Sequence, residues 1–302
     1  FVATGVGRPD ATKPVYSMTG SRDPFYYSIN AHYGSSDHEV FNDWGVQVPG
    51  IIMITWPDNY YHTSGDRPEI CDPTQLHRAI VIAAASAYTI AGADESMALK
   101  IAAEVAANAE KRMSLKMRYD LAQLNGASAD DFKDLYKTAV FNQDALLSNE
   151  TATLATVMEL APSSALLDEY VKSLQASLKA VRAANGKNID AAMKAKAATS
   201  GYAPVKVELS AEEKAASKIY PHSTSKVKDY GYGVLRSIPS DLTAKYGVRL
   251  TYSAEVAKLA SDGKNSVLDI KKMLDAQFPD SDSLDSVMKY IELLKEAGLL
   301  EY

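Results

Sequence analysis

Residues 48–56 read Val-Pro-Gly-Ile-Ile-Met-Ile-Thr-Trp, and the reading of this stretch decides the fold class. Its short unbroken apolar run, rich in β-branched side chains, suits a strand buried on both faces, as in a parallel sheet. A polar loop runs from Pro57 to Cys71, and a marked helix start follows. Asp72 is placed to cap, Pro73 takes the first helical position and Gln75 completes a capping box. From Thr74 to Ile90 the helix is apolar on nearly every face, and Gly92 ends it. Leu76, Ile80 and Ala84 are expected to face the sheet. Strand, loop and buried helix together predict an α/β fragment, the edge of a mainly parallel sheet with packed helices.

Outward from this stretch the composition changes three times. Residues 1–93 hold both tryptophans and seven of the twelve prolines. Residues 94–200 turn to Ala, Lys, Glu and Leu with helical apolar spacing, and predict three or four amphipathic helices packed as a bundle or arm. No strict heptad survives more than two repeats, which argues against a coiled coil. Residues 201–251, with Pro204, Pro221, Pro239 and paired tyrosines, read as an extended, mostly irregular connection. Residues 252–302 carry three helical segments and a closing Leu299–Leu300, which predicts a small winged-helix-like domain.

The balance of 32 Lys+Arg against 38 Asp+Glu, a net charge of −6, argues against nucleic acid as a main partner. Residues 252–302 alone hold six basic and ten acidic side chains. No apolar run approaches 18 residues, so no membrane span is expected. The single cysteine, Cys71, excludes an intrachain disulfide and any multi-cysteine metal site; it reads as a half-buried structural residue. The opening residues from Phe1 are no signal peptide, and the chain is expected to begin inside a larger domain.

There is no His-Glu-x-x-His helix, no Gly-x-Ser-x-Gly elbow, no phosphate loop and no dinucleotide fingerprint. Two histidines stand out. His62 lies six residues beyond the expected strand, where parallel sheets gather ligands, and reads either as a metal ligand or as a surface-loop side chain. His38, in Gly34-Ser35-Ser36-Asp37-His38-Glu39, lines a polar pocket on one reading. On the other, Ser36 or Asp37 caps a short helix through Asn42.

The run GSSDHEVFNDWGVQVPGIIMITWPDNYYHTSGDRPEICDPTQLHRA resembles the C-terminal part of the catalytic domain of di-zinc aminopeptidases and glutamate-carboxypeptidase-like enzymes, metallopeptidase family twenty-eight. Three motifs occur in order: a Gly-Ser-Asp-His loop, a core strand and a Tyr-His-Thr-x-x-Asp segment. The resemblance implies that His62 is the last zinc ligand and that Tyr61 donates a hydrogen bond to the tetrahedral intermediate. Ser36, Asp37 and His38 would lie near the substrate pocket. Two zinc ions are the implied cofactor.

The family's other ligands are not found. No His-x-Asp and no Glu–Glu pair precede His62, and Glu212–Glu213 reads as a solvated pair at helix-capping spacing. One imidazole cannot hold two dications or activate a bridging water. The implied reading is the C-terminal part of a zinc-dependent exopeptidase, with an incomplete catalytic apparatus in this chain. The implied partners are a peptide substrate and the missing N-terminal half of the catalytic domain, with a homo-oligomer as a further option. A periplasmic or secreted location is implied by the resemblance alone. The alternative is a non-catalytic protein- or peptide-binding module built on the helical and winged-helix regions. The final helices of residues 252–302 also resemble small winged-helix modules that trail some peptidases.

Overall fold

The computed structural model describes Tyr27, Ile29 and residues 36–43, 46–278 and 280–302. It is 67% helical, with two short strands and no parallel sheet among the described residues. The expected α/β fragment is therefore corrected to a mainly helical chain. The reason lies in residues 48–56. A strand is defined by partners on its edges, and branched apolar side chains do not supply them. Val48 N–H donates to Phe41 O at 2.7 Å, and the Asn42 side chain brackets Gly50, accepting from its N–H at 2.7 Å and donating to its carbonyl at 3.2 Å. Beyond Gly50 no ladder continues, and Ile51 is 74% exposed.

The chain divides into two compact units. One takes the residues up to Asn42 together with Val48–Gly92, and the other takes Asp43–Gln47 together with Ala93–Tyr302. The first holds α1 (His38–Phe41), a single 3₁₀ turn at Pro68–Ile70 and α2 (Pro73–Ala91). The Asp72 carboxylate caps α2 as expected, accepting from Thr74 N–H at 2.7 Å and Gln75 N–H at 3.3 Å. Gln75 does not return the bond, so the cap is an Asp cap rather than a box. No residue of α2 is buried; Leu76 and Ile80 are more than half exposed and face no sheet. Cys71 is exposed as well, not half-buried.

The second unit begins with three long helices, α3 (Glu95–Gly126), α4 (Phe132–Ala155) and α5 (Ala165–Ser200). Asp94 and Ser164 cap α3 and α5 through their side chains. Along α3, Ala98, Ala102, Ala106, Ala109 and Met113 recur at steps of three and four and face inward. They pack with Leu154, Leu167, Val171 and Leu178 into one apolar cluster. A second cluster gathers Leu124, Phe132, Tyr136, Ala139, Ile189, Met193 and Ala197. Between the two lies a polar layer of Asp120, Asn142, Gln143 and Asn185, all buried. Asn185 donates to Gln143 Oε1 at 2.9 Å, and Gln143 donates to Met113 O at 3.2 Å. Arg112 grips the buried Glu150 with two bonds of 2.7 and 2.6 Å.

Left-handed Gly201 turns the chain off α5, and an extended segment follows to Ser210. Helices α6 (Ala211–Ala216), α7 (Ser225–Tyr230), α8 (Ser240–Tyr246), α9 (Ser253–Leu259), α10 (Val267–Gln277) and α11 (Leu284–Glu296) complete the unit. Ser210 with Glu213, and Ser266 with Asp269, form capping boxes on α6 and α10. The strand β2 (Leu300–Glu301) pairs antiparallel with β1 (His222–Ser223). One core runs from Ala216 and Val227 to Leu299 and Leu300, so residues read as a connection contribute side chains to the same interior as α9–α11. Asp43 is tied to this unit: Tyr232 N–H donates to its two carboxylate oxygens at 2.9 and 3.2 Å.

No described helix is long and apolar enough to cross a membrane.

Candidate functional site

The loop that carries Tyr61 and His62 is built by its own polar side chains. Asp58 Oδ1 accepts from Tyr60 N–H at 2.8 Å, an Asx turn. Thr63 donates its hydroxyl to Tyr60 O at 2.7 Å and accepts from Gly65 N–H at 3.2 Å. Arg67 closes the loop with a 3.0 Å bond from Nε to Ser64 O. Inside this frame His62 takes φ 58, one of two described non-glycine residues with positive φ. A side chain with a Cβ enters this region only at a cost, and such positions gather at sites where geometry is functional.

The His62 imidazole is exposed and stacks on the Tyr61 ring, centroids 3.8 Å apart at 20°. Trp56 meets the Tyr61 ring edge-on, with centroids 5.5 Å apart. Trp56 was not singled out by the sequence; its only signal there was its place at the end of the apolar run. The three rings form an exposed aromatic corner with one imidazole on it. That arrangement can offer one neutral nitrogen ligand and one phenolic donor side by side.

Ser36, Asp37 and His38 lie at the start of α1. Ser36 and Asp37 are exposed and His38 is buried. Asp37 occupies the cap position without a side-chain cap bond, so the expected cap is formed only by the backbone: Ser36 O accepts from Glu39 N–H at 3.0 Å. His38 O lies so close to Gly50 that a Cβ there would fall 2.6 Å from it, which restricts that position to glycine. Among the described residues the ring contacts of Tyr61 and His62 are with each other and with Trp56, and none joins them to Ser36–His38.

A metal at His62 needs partners. Among the described residues no three His, Cys, Asp or Glu side chains converge on a point. The described residues therefore do not by themselves fit a zinc centre, whose sites take three or four protein ligands. Glu213 is also not a free carboxylate. It closes the α6 capping box and pairs with Lys137 of α4. Burial works against its charge, yet the Lys137 ammonium and the Ser210 N–H hold its carboxyl below the usual range. The pair read as solvated is thus half structural.

The sequence model of peptidase family M28 matches residues 10–87, a span that includes Ser36–His38, Tyr61, His62 and most of α2. Residues beyond Ala87 lie outside the match. No curated protein and no solved structure matches the chain.

Proposed function

We propose that the chain is part of a zinc-dependent exopeptidase of aminopeptidase type, in which His62 ligates a metal ion. The match of residues 10–87 to a peptidase family supports hydrolase and metallopeptidase chemistry. The observation that carries the finer reading is the left-handed, exposed His62 stacked on Tyr61 within that span. Tyr61 is the donor to the developing oxyanion, a role for which a phenol beside the metal is suited. Ser36, Asp37 and His38 border the substrate pocket, and the substrate is a peptide.

The other ligands come from residues outside the described ones, in the N-terminal half of the catalytic domain. That half also covers α2, a 19-residue helix with apolar side chains on most faces and none buried. At roughly 25 cal/mol per Å² of apolar surface, such a face is costly to leave in water. A periplasmic or secreted location belongs to the same proposal and rests on the family resemblance; a homo-oligomer is a further option.

The test is His62→Ala in the intact protein, with zinc content and peptidase turnover measured together. The reading expects both to be lost. Retention of both zinc and full activity overturns it.

A further inference from the structure

The end of the helical bundle carries a feature unrelated to the peptidase span. Gly201 takes φ 71, Tyr202 N–H closes α5 onto Ala197 O at 2.9 Å, and the chain then runs extended across the bundle end. Val205 and Val207 pack against the cluster around Phe132 and Ile189, and Lys206 and Glu208 alternate outward. Burial thus alternates with period two, as it does along a strand. Yet no backbone N–H or C=O from Ala203 to Glu208 has a hydrogen-bond partner among the described residues. The segment alternates as a strand does but joins no sheet among the described residues, which leaves its polar edges open.

Beside it lies a groove of about 450 Å³. Its apolar floor comes from Phe132, Tyr202, Pro204 and Val205, with Phe132 and Tyr202 in a tilted ring pair 5.2 Å apart. The charged side chains that line it are Lys133 and Lys206, with no carboxylate. Lys133 has no ion-pair partner among the described residues. Among the described residues Lys206 pairs with its neighbour Glu208 alone, at 3.5 Å and with both side chains largely in water, a contact of little worth. Lys196 adds a third cation, 5.7 Å from the centre of the Tyr202 ring.

We propose that this groove and strand edge dock an extended peptide segment bearing carboxylates, which adds as a strand from Val205 onward. The open row of donors and acceptors is what a second main chain completes, and alternate side chains of the added strand enter the apolar floor. The lysines select acidic over basic segments. Pro204 lacks an N–H and sets the limit of pairing at that end. Nucleic acid is disfavoured, because its phosphates do not complete a backbone ladder and the chain carries a net charge of −6. The proposal is independent of the peptidase reading.

The test uses the whole chain and a fluorescein-labelled seven-residue peptide of alternating valine and glutamate. Two companions are a lysine-for-glutamate peptide and the glutamate peptide with methylated backbone nitrogens. Anisotropy should show saturable binding of the glutamate peptide, at least about tenfold tighter than either companion. Hydrogen exchange should slow at Val205, Lys206, Val207 and Glu208 when the peptide is bound. Lys133→Glu with Lys206→Glu should weaken binding about tenfold with an unchanged melting temperature. The methylated probe leaves the protein unaltered, so its result stands even if that variant misfolds. Equal binding of both charges, no effect of methylation, or protection elsewhere overturns the proposal. Protection of the same amides that rises with protein concentration alone assigns the edge to a second copy of the chain and likewise overturns it.

Discussion

Asn142 of α4 donates its amide to Asp120 Oδ1 of α3 at 2.9 Å, with both side chains buried in the middle of the bundle. Burial pushes the Asp120 carboxyl up to about 6, against the pull of the Lys116 ammonium at 3.7 Å and of the Asn142 amide. The second oxygen of Asp120 and the amide oxygen of Asn142 have no hydrogen-bond partner among the described residues. The ionised form is therefore poorly served by its surroundings.

The pH dependence follows in sign. The folded chain holds the Asp120 proton more tightly than the unfolded chain, whose carboxyl titrates near 3.9. Its contribution to stability is complete below that value and is lost as pH rises through about 6. Asp120→Asn should therefore melt higher than the unaltered protein at pH 7.5, by on the order of 1–3 kcal/mol. The difference between the two should shrink as pH falls and vanish only below about pH 3, where the unfolded carboxyl is also protonated. A pH-independent difference in melting temperature would assign the effect to something other than this proton.

Gly231 should not tolerate a side chain. It takes φ 71, and an added Cβ would collide with the Asp43 carboxylate that Tyr232 N–H holds. Gly231→Ala should cost roughly 1–3 kcal/mol in denaturant unfolding. Asp43→Ala removes the collision but not the backbone strain, so the double variant should be more stable than the sum of the two losses predicts. Strict additivity would show that the collision is relieved some other way.

Tyr61→Phe separates metal binding from turnover. In the intact protein it should leave zinc content unchanged and lower turnover about 10²-fold, the scale of removing one oxyanion donor. Loss of zinc together with activity would move Tyr61 from chemistry to support of the His62 loop.

Duplex DNA should not bind the chain with submicromolar affinity even at low salt. The C-terminal helices are acidic, and α10 offers Lys271 and Lys272 already engaged with Asp275 and Asp269. The whole chain is the right reagent, since the core around α9–α11 also takes Ala216 and Val227. Tight binding that weakens steeply with added salt would contradict this.

Helices were legible where local chemistry determines them. Asp72 before Pro73 and the helical apolar spacing of α3 act within a turn or two, and a sequence displays them directly. The stretch 48–56 failed because a strand needs a neighbour, and neighbours are not local. Its apolar side chains predict burial, yet Val48, Ile51, Met53, Ile54 and Trp56 are all exposed. Val205-Lys206-Val207-Glu208 shows the opposite case, a visible alternation obscured by the prolines and tyrosines around it. The loop of Tyr61 and His62 was found through its motif, whereas the stacked geometry and the positive φ carry no sequence mark. Asp120, Asn142 and Asn185 look like surface residues, because inward-facing polar side chains on different helices reveal themselves only when paired.

The polar layer leaves the bundle with two apolar cores threaded on the same three rods. Helix α5 passes through both, roughly 54 Å from end to end, and Gly186 sits next to Asn185 at the crossing. Glycine weakens a helix interior by about 0.5–1 kcal/mol, at the point where side-chain grip is also polar. Amides near Leu167–Leu178 and near Ile189–Ala197 should thus exchange through separate cooperative openings, with the boundary at Asn185. One uninterrupted helix then behaves, on the timescale of minutes to hours, as two independent timers.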